Sequence, residues 1–325
     1  MNKQPIAAAI ALMTLSGVAL AEGPEFYGKA NVSVVNQDDG TDREWDATSN
    51  ASRLGVKGTV DLGEGLEAFY QLEYEVSVDD DDDIFKQRNT FAGLRGGFGE
   101  VYTGRVDSLL KTSQGKVDYS SDLAGADIKQ VFLGEERFDD VVGYKTPSFG
   151  GFTFAAQTFL DQGQDDDSAF AHMSVSANYR AGDLTAAIAY DSETKSDAGF
   201  ANILRGSVQY TMGNFQVGGM AQTAETADGF DLGDAVMASA SYKMDDFRFW
   251  GLYASGFQPV GIADGWVDAN GETIVDQLSM ATAGVDYKLS SAVKTFVYYS
   301  AIDAESLTGM EAEENTLGVG LEIKF

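Results

Sequence analysis

The chain has 325 residues, with 51 acidic against 22 basic, no cysteine, and a formal charge of -29. Such a charge argues against a nucleic-acid partner, which needs a basic stripe to neutralise phosphate, and the missing cysteine excludes disulfides and thiolate metal sites. One histidine, His172, leaves Ser-His-Asp chemistry a single pivot and multi-histidine metal centres none.

The first 21 residues combine one cation, Lys3, an apolar run from Ile6 to Met13 and a small-residue site at Ala19-Leu20-Ala21, the pattern of a cleaved secretory signal. Thr14, Ser16 and Gly17 interrupt the run, and a membrane-spanning helix needs about 20 apolar residues. Residues 1–21 are therefore expected to be a signal peptide and 22–325 the mature chain, which carries no later apolar stretch of helical span. Over the full sequence the 37 glycines, 20 Phe and 14 Tyr are spread along the chain and prolines number only 4. That pattern suits many strands joined by turns. No linker or composition shift divides it, so one continuous sheet is expected.

From Phe26 to Asn36, Tyr27, Ala30, Val32 and Val34 alternate with small or polar partners, a strand period. In the next segment Leu54, Val56, Gly58, Val60 and Leu62 share one face and Arg53, Lys57 and Asp61 the other, ending in a turn at Gly63-Glu64-Gly65. After it, Ala68, Tyr70, Leu72, Tyr74 and Val76 take an apolar face, and Glu67, Gln71, Glu73 and Glu75 a polar one that no dry core would accept. Further strands are predicted near 84–95, 99–105, 138–146, 151–160, 169–180, 183–191, 201–212, 214–223, 235–244, 246–256, 275–288 and 292–302. The last strand sets Leu317, Val319, Leu321, Ile323 and Phe325 against Gly318, Gly320, Glu322 and Lys324. The total is about sixteen.

Connections alternate in length. Short turns such as Ser148-Phe149-Gly150, Ala181-Gly182, Gly213, Asp245 and Ser290-Ser291 alternate with long polar segments at 37–49, 79–83, 161–168, 223–234, 257–274 and 303–313. An even strand count with short turns at one end and long loops at the other is the plan of an outer-membrane barrel. Lipid cannot satisfy a free backbone amide, so a spanning sheet must close on itself. About sixteen strands leave the interior wet.

Several segments resemble the general Gram-negative porin family over the whole mature chain. They are Phe26-Tyr27-Gly28-Lys29; Ser52 to Gly58 followed by Asp61 to Ala68; Arg88 to Leu94 with Gly97 to Arg105; and Tyr144 to Pro147 with Gly150-Gly151-Phe152. The terminal Phe325 looks like the family's assembly signal. The resemblance implies an all-β transmembrane antiparallel barrel whose third loop, here Val106 to about Glu136, folds into the lumen and narrows it. It implies a wall of Arg53, Arg88 and Arg137, with Lys29 as a further cation, facing loop acids Asp118 and Asp122; Asp127, Glu135 and Glu136 are rivals for the acidic role. Acids facing arginines would set a transverse field that discriminates ions by charge.

The acidic runs Asp79 to Asp83 and Asp165 to Asp167, with Asp161, could hold calcium or bridge to lipopolysaccharide, but lack a full calcium-loop spacing and read more simply as solvated loops. Phe26, Tyr102, Phe149, Phe152, Tyr179, Tyr190, Phe215, Phe247, Phe249 and Tyr287 flank strand ends and could form interfacial girdles. No carboxylate pair is marked out for hydrolysis. The expectation is a cofactor-free outer-membrane channel among membrane lipids and lipopolysaccharide, homotrimeric as the resemblance implies, passing ions and small hydrophilic solutes with mild cation selectivity. The alternatives are an anion- or sugar-specific channel, or a structural or adhesive barrel.

Overall fold

The computed structural model describes residues 23–79, 84–160, 170–196, 199–256 and 275–325. Residues 1–21, and of the acidic runs Asp80 to Asp83, Asp161 and Asp165 to Asp167, lie outside the described residues. The alternating segments form seventeen strands. In chain order they are β1 (Glu25–Asp38), β2 (Arg43–Ser49), β3 (Arg53–Gly63), β4 (Leu66–Val76), β5 (Phe85–Gly96), β6 (Gly99–Asp107), β7 (Arg137–Lys145), β8 (Phe152–Phe159) and β9 (Met173–Ala181). There follow β10 (Leu184–Ser196), β11 (Gly199–Met212), β12 (Phe215–Thr226), β13 (Asp231–Met244), β14 (Phe247–Gly256), β15 (Val275–Lys288), β16 (Val293–Ser306) and β17 (Glu311–Lys324).

From β3 to β17 neighbours in sequence pair antiparallel, and β1 pairs with β17 from Lys29↔Lys324 to Asp38↔Asn315. On its other side β1 pairs with β2 through Val32 to Asp38 and with β3 through Glu25 to Lys29. β2 and β3 are thus two halves of one stave, and the barrel closes with sixteen. The break is patched by side chains: Ser52 Oγ accepts from Asn31 N at 2.9 Å and donates to Asn31 O at 3.1 Å, and Asn50 Nδ2 donates to Ser33 Oγ at 2.9 Å. Between them Ala51 adopts φ 49.

One face of the sheet is an apolar surface that no other described part of the chain covers. On β17, Leu317 is 45% and Val319 53% exposed while the neighbouring Thr316 is fully buried. The same alternation exposes Val297 and Tyr299 on β16 and Leu204 and Val208 on β11. In lipid these side chains meet acyl chains, and closure leaves no unpaired edge.

Against the other face packs the connection from β6 to β7. It contains helix α1 (Leu109–Ser113), capped by Ser108 Oγ accepting from Lys111 N at 3.0 Å, and a 3-10 turn (Ile128–Gln130) capped by Asp127. Its Val117, Ile128, Val131 and Phe132 join Met220, Met237, Leu278, Met280 and Ile302 of β12 to β16. Tyr119, Leu123 and Ala126 join Val35, Trp250, Phe296 and Tyr298. Each fully buried side chain of this kind contributes about 1.5–3 kcal/mol. Beneath this segment aromatic rings lie on cross-strand glycines: Tyr298 on Gly318, Phe296 on Gly320 and Trp250 on Gly284. A Cβ at Gly318 would come within 2.1 Å of the Tyr298 ring.

Three expected loops are shorter than predicted. Residues 43–49 form β2, the connection at 223–234 shrinks to the turn between Thr226 and Asp231, and that at 303–313 to the turn between Ser306 and Glu311. The ladder continues beyond the apolar belt, where the side chains turn polar and hydrophobic alternation no longer marks it. Tyr102 departs from the girdle expectation: it lies on the face opposite the exposed Val101, and its hydroxyl accepts from Gln157 Nε2 at 3.0 Å. His172 is buried, with Nδ1 against the Glu193 carbonyl and its ring 5.3 Å from that of Phe200.

Candidate functional site

Irregular backbone gathers the charged residues. The break at 50–52 precedes Arg53, the β4–β5 register shifts between Leu72 and Tyr74, around Glu73, and the β6–β7 register shifts between Gly104 and Val106, around Arg105. Bulges of this kind re-aim side chains and are common beside functional sites.

Arg53, Arg88, Arg137, Asp118 and Asp122 line one cavity of about 680 Å³ between these staves and the segment 108–136. Lys29 lies in an adjoining cavity of about 120 Å³, which also touches Arg53 and Asp122. The six residues singled out in sequence are therefore brought together, and Asp122 meets two of the cations: Lys29 Nζ at 3.5 Å and Arg53 Nη2 at 3.4 Å. Asp118 behaves differently. Its Oδ1 accepts from Ser120 N at 2.9 Å, Ser120 Oγ at 2.7 Å and Ser121 N at 3.0 Å, and it forms no ion pair among the described residues. Of its rivals, Asp127 pairs with Lys129 at 3.8 Å and Glu135 with Arg205. Glu135 and Glu136 also line the cavity.

Sequence reasoning missed the carboxylates that neutralise the wall. Arg88 donates to Glu73 at 2.9 Å and Glu75 at 2.5 Å, Arg137 pairs with Asp107 at 2.7 Å, and Arg53 lies 3.8 Å from Glu73. Glu73 and Glu75 stand two apart on the polar face of β4, and β5 lies beside it, so this pairing follows once the strand register is known.

Arg205 was also missed. It is fully buried on β11 and reaches the segment 108–136 with both terminal nitrogens of its guanidinium. Nη2 donates to the Leu133 carbonyl at 2.6 Å, Nη1 to the Leu110 carbonyl at 3.4 Å and to Glu135, and Nε to Gln222 Oε1 at 3.0 Å. The Phe132 ring stacks 5.6 Å away. A lone arginine among Ile203, Leu204 and Gly206 was the available signal.

Two loop acids carry raised pKa values. Burial pushes the Asp118 carboxyl up to about 7 against the opposing hydrogen bonds from Ser120 and Ser121, and Asp127 and Glu135 add repulsion. Burial likewise raises Asp127 to about 6, with the Lys129 amide and ammonium opposing. Both residues are of intermediate burial and line the cavity.

A model of the family described as Gram-negative porin matches residues 7–322. Outer membrane porin protein 32 of Delftia acidovorans is 36% identical over 178 residues, 48% of this chain and 49% of the relative. Major outer membrane protein P.IB of Neisseria meningitidis serogroup B is 34% identical over 137 residues, 40% of this chain and 37% of the relative. The matches span about half or less of these relatives' length. Among solved structures, the anion-selective porin from Comamonas acidovorans has a TM-score of 0.73 at 22% identity, covering 93% of this chain and 99% of that one. The trimer form of OmpT from Vibrio cholerae has a TM-score of 0.64 at 19% identity, covering 93% and 99%. At such identities the likeness is one of fold.

Proposed function

Because the chain belongs to the Gram-negative porin family and so resides in the outer membrane, we propose that it is a water-filled channel for passive diffusion of ions and small hydrophilic solutes, with a mild preference for cations. Segment 108–136 occupies the lumen and narrows it, and the cavity it borders is the constriction. The packing of that segment against β10 to β16 and β1, on the face opposite the exposed apolar belt, supports this placement. Residues 1–21 act as the export signal, and the working unit is a trimer, in keeping with the trimer form of the Vibrio relative.

The charge balance at the constriction carries the selectivity reading. Seven basic and seven acidic residues line the cavity, and Glu73 sits behind Arg53 and Arg88. Each of Arg53, Arg88, Arg105 and Arg137 has a carboxylate partner. The wall therefore offers little free positive charge, and the acid excess of the whole chain tips the potential negative. A second reading, an anion-preferring channel, rests on Arg53, Arg88 and Arg137, with Lys29 beside them, and on the anion-selective Comamonas relative.

The reversal potential in a planar bilayer under a potassium chloride gradient tests both. A cation-selective potential, with openings in steps of three, fits the main reading. Replacing Arg53 and Arg137 with glutamine should then strengthen the cation preference. An anion-selective potential would transfer the assignment to the second reading, and folded protein without conductance would sink both.

A further inference from the structure

The short-turn end of the barrel carries a cluster of cations that the constriction does not use. Lys243, Arg248, Lys288, Lys294 and Lys324 come from five consecutive strands, β13 to β17, and line one cavity of about 330 Å³. All share the face on which Trp250 and Phe296 lie, since each is in register with it: Lys243↔Arg248, Arg248↔Asp286, Lys288↔Lys294, Lys294↔Glu322 and Lys324↔Lys29.

Three of these five are like-charge pairs held directly opposite each other, an arrangement that destabilises a sheet. Local acids do not fully compensate. Asp286 is already shared among Lys294 at 3.4 Å, Arg248 at 3.8 Å and Trp250 Nε1 at 3.1 Å, and Glu322 is engaged with Lys324 at 3.1 Å. Asp245 and Asp246 of the turn also border the cavity. Even so, Lys243 and Lys288 form no ion pair among the described residues. In a chain with more than twice as many acids as bases, five cations on adjacent strands, with repulsive pairs between them, face only the four carboxylates of Asp245, Asp246, Asp286 and Glu322, so the site is one counter-charge short.

We propose that this mouth of the channel holds a binding site for a small phosphate-bearing dianion. Lysine ammoniums act as mobile point charges on a tetrahedral oxyanion, and Lys288 with Lys294 can be bridged by one ligand, turning repulsion into shared attraction, while Lys243 and Lys324 add further charge from the same cavity. The row continues across β1, where Lys29 is in register with Arg53, so the site adjoins the constriction. Solute reaches it by the channel assigned above, on which the inference rests for access but not for binding.

Inorganic phosphate is the probe, at a pH above its second ionisation. In detergent, phosphate should raise the unfolding temperature of the folded protein beyond what potassium chloride of equal ionic strength does. The variant carrying Lys288→Gln and Lys324→Gln should lose that increment and be at least as stable as the parent in chloride, because two repulsive pairs are relieved. In bilayers, phosphate added on the short-turn side should interrupt the current at roughly tenfold lower concentration than on the long-loop side. Orientation is set by avidin block of a biotinylated Thr308→Cys variant. Equal shifts from phosphate and chloride, or an increment that survives in the double variant, would reduce the effect to screening and overturn the site. A phosphate shift in protein that does not conduct would leave the site standing and remove the channel reading instead.

Discussion

Replacing Arg205 with methionine should release segment 108–136 while leaving the barrel closed. The guanidinium serves the carbonyls of Leu110 and Leu133 and the carboxylate of Glu135, all from within a site with no solvent exposure. Methionine fills much of the volume but satisfies none of them. Removing one partner of a buried ion pair costs about 3–5 kcal/mol. At 1.4 kcal/mol per tenfold, that shifts the docked-to-undocked ratio of the segment by about two to three and a half orders of magnitude. The sheet ladder is untouched, so β-sheet circular dichroism should not change. Hydrogen exchange at the amides of Leu109 to Glu135 should accelerate by a similar factor, and open-channel current noise should rise. Arg205→Lys keeps the charge but loses the planar fork and should fall between. Parent-like exchange and noise in the methionine variant would refute the reasoning and leave the apolar clusters as the sole anchor.

Two further outcomes follow from the geometry. The carboxyl of Asp118 stands at about 7 and that of Asp127 at about 6, so both lose their negative charge as pH falls through those values. The cation preference measured by reversal potential should decline from pH 8 to pH 5, and Asp118→Asn should flatten the upper part of that decline; a pH-independent potential in the parent would contradict it. Gly318→Val drives a side chain into the Tyr298 ring, whose hydroxyl donates to the Ala124 carbonyl at 2.8 Å. It should cost about 1–3 kcal/mol by overpacking, seen as a lower unfolding temperature, whereas Gly206→Ala, with no atom nearer than 4.0 Å, should be close to neutral.

The sequence made the stave number and most strand limits legible because lipid on one side and water on the other impose a strict two-residue period. That signal fails where it physically stops. Arg43-Glu44-Trp45-Asp46-Ala47 forms β2 with scarcely an apolar face, because beyond the bilayer both faces meet water. The six site residues could be placed through segments resembling a known family, and they do share neighbouring cavities. Their electrostatic meaning was not legible: Glu73, Glu75 and Asp107 neutralise the arginines only through cross-strand register and bulges. The cation arc had the same fate. Lys243, Arg248, Lys288, Lys294 and Lys324 are scattered over some eighty positions and become neighbours only when five hairpin-linked strands align.

The seam between β1 and β17 bears on how the molecule is made. Bringing Lys29 to Lys324 closes a loop of nearly the whole chain, an entropic cost of about 5 kcal/mol, against about 1 kcal/mol for a two-residue hairpin such as that joining β9 to β10. Local hairpins therefore form first and the seam last. Until it forms, both terminal strands expose unpaired amides and carbonyls, so the slowest step of assembly is also the one during which the chain is most prone to pair with another copy of itself.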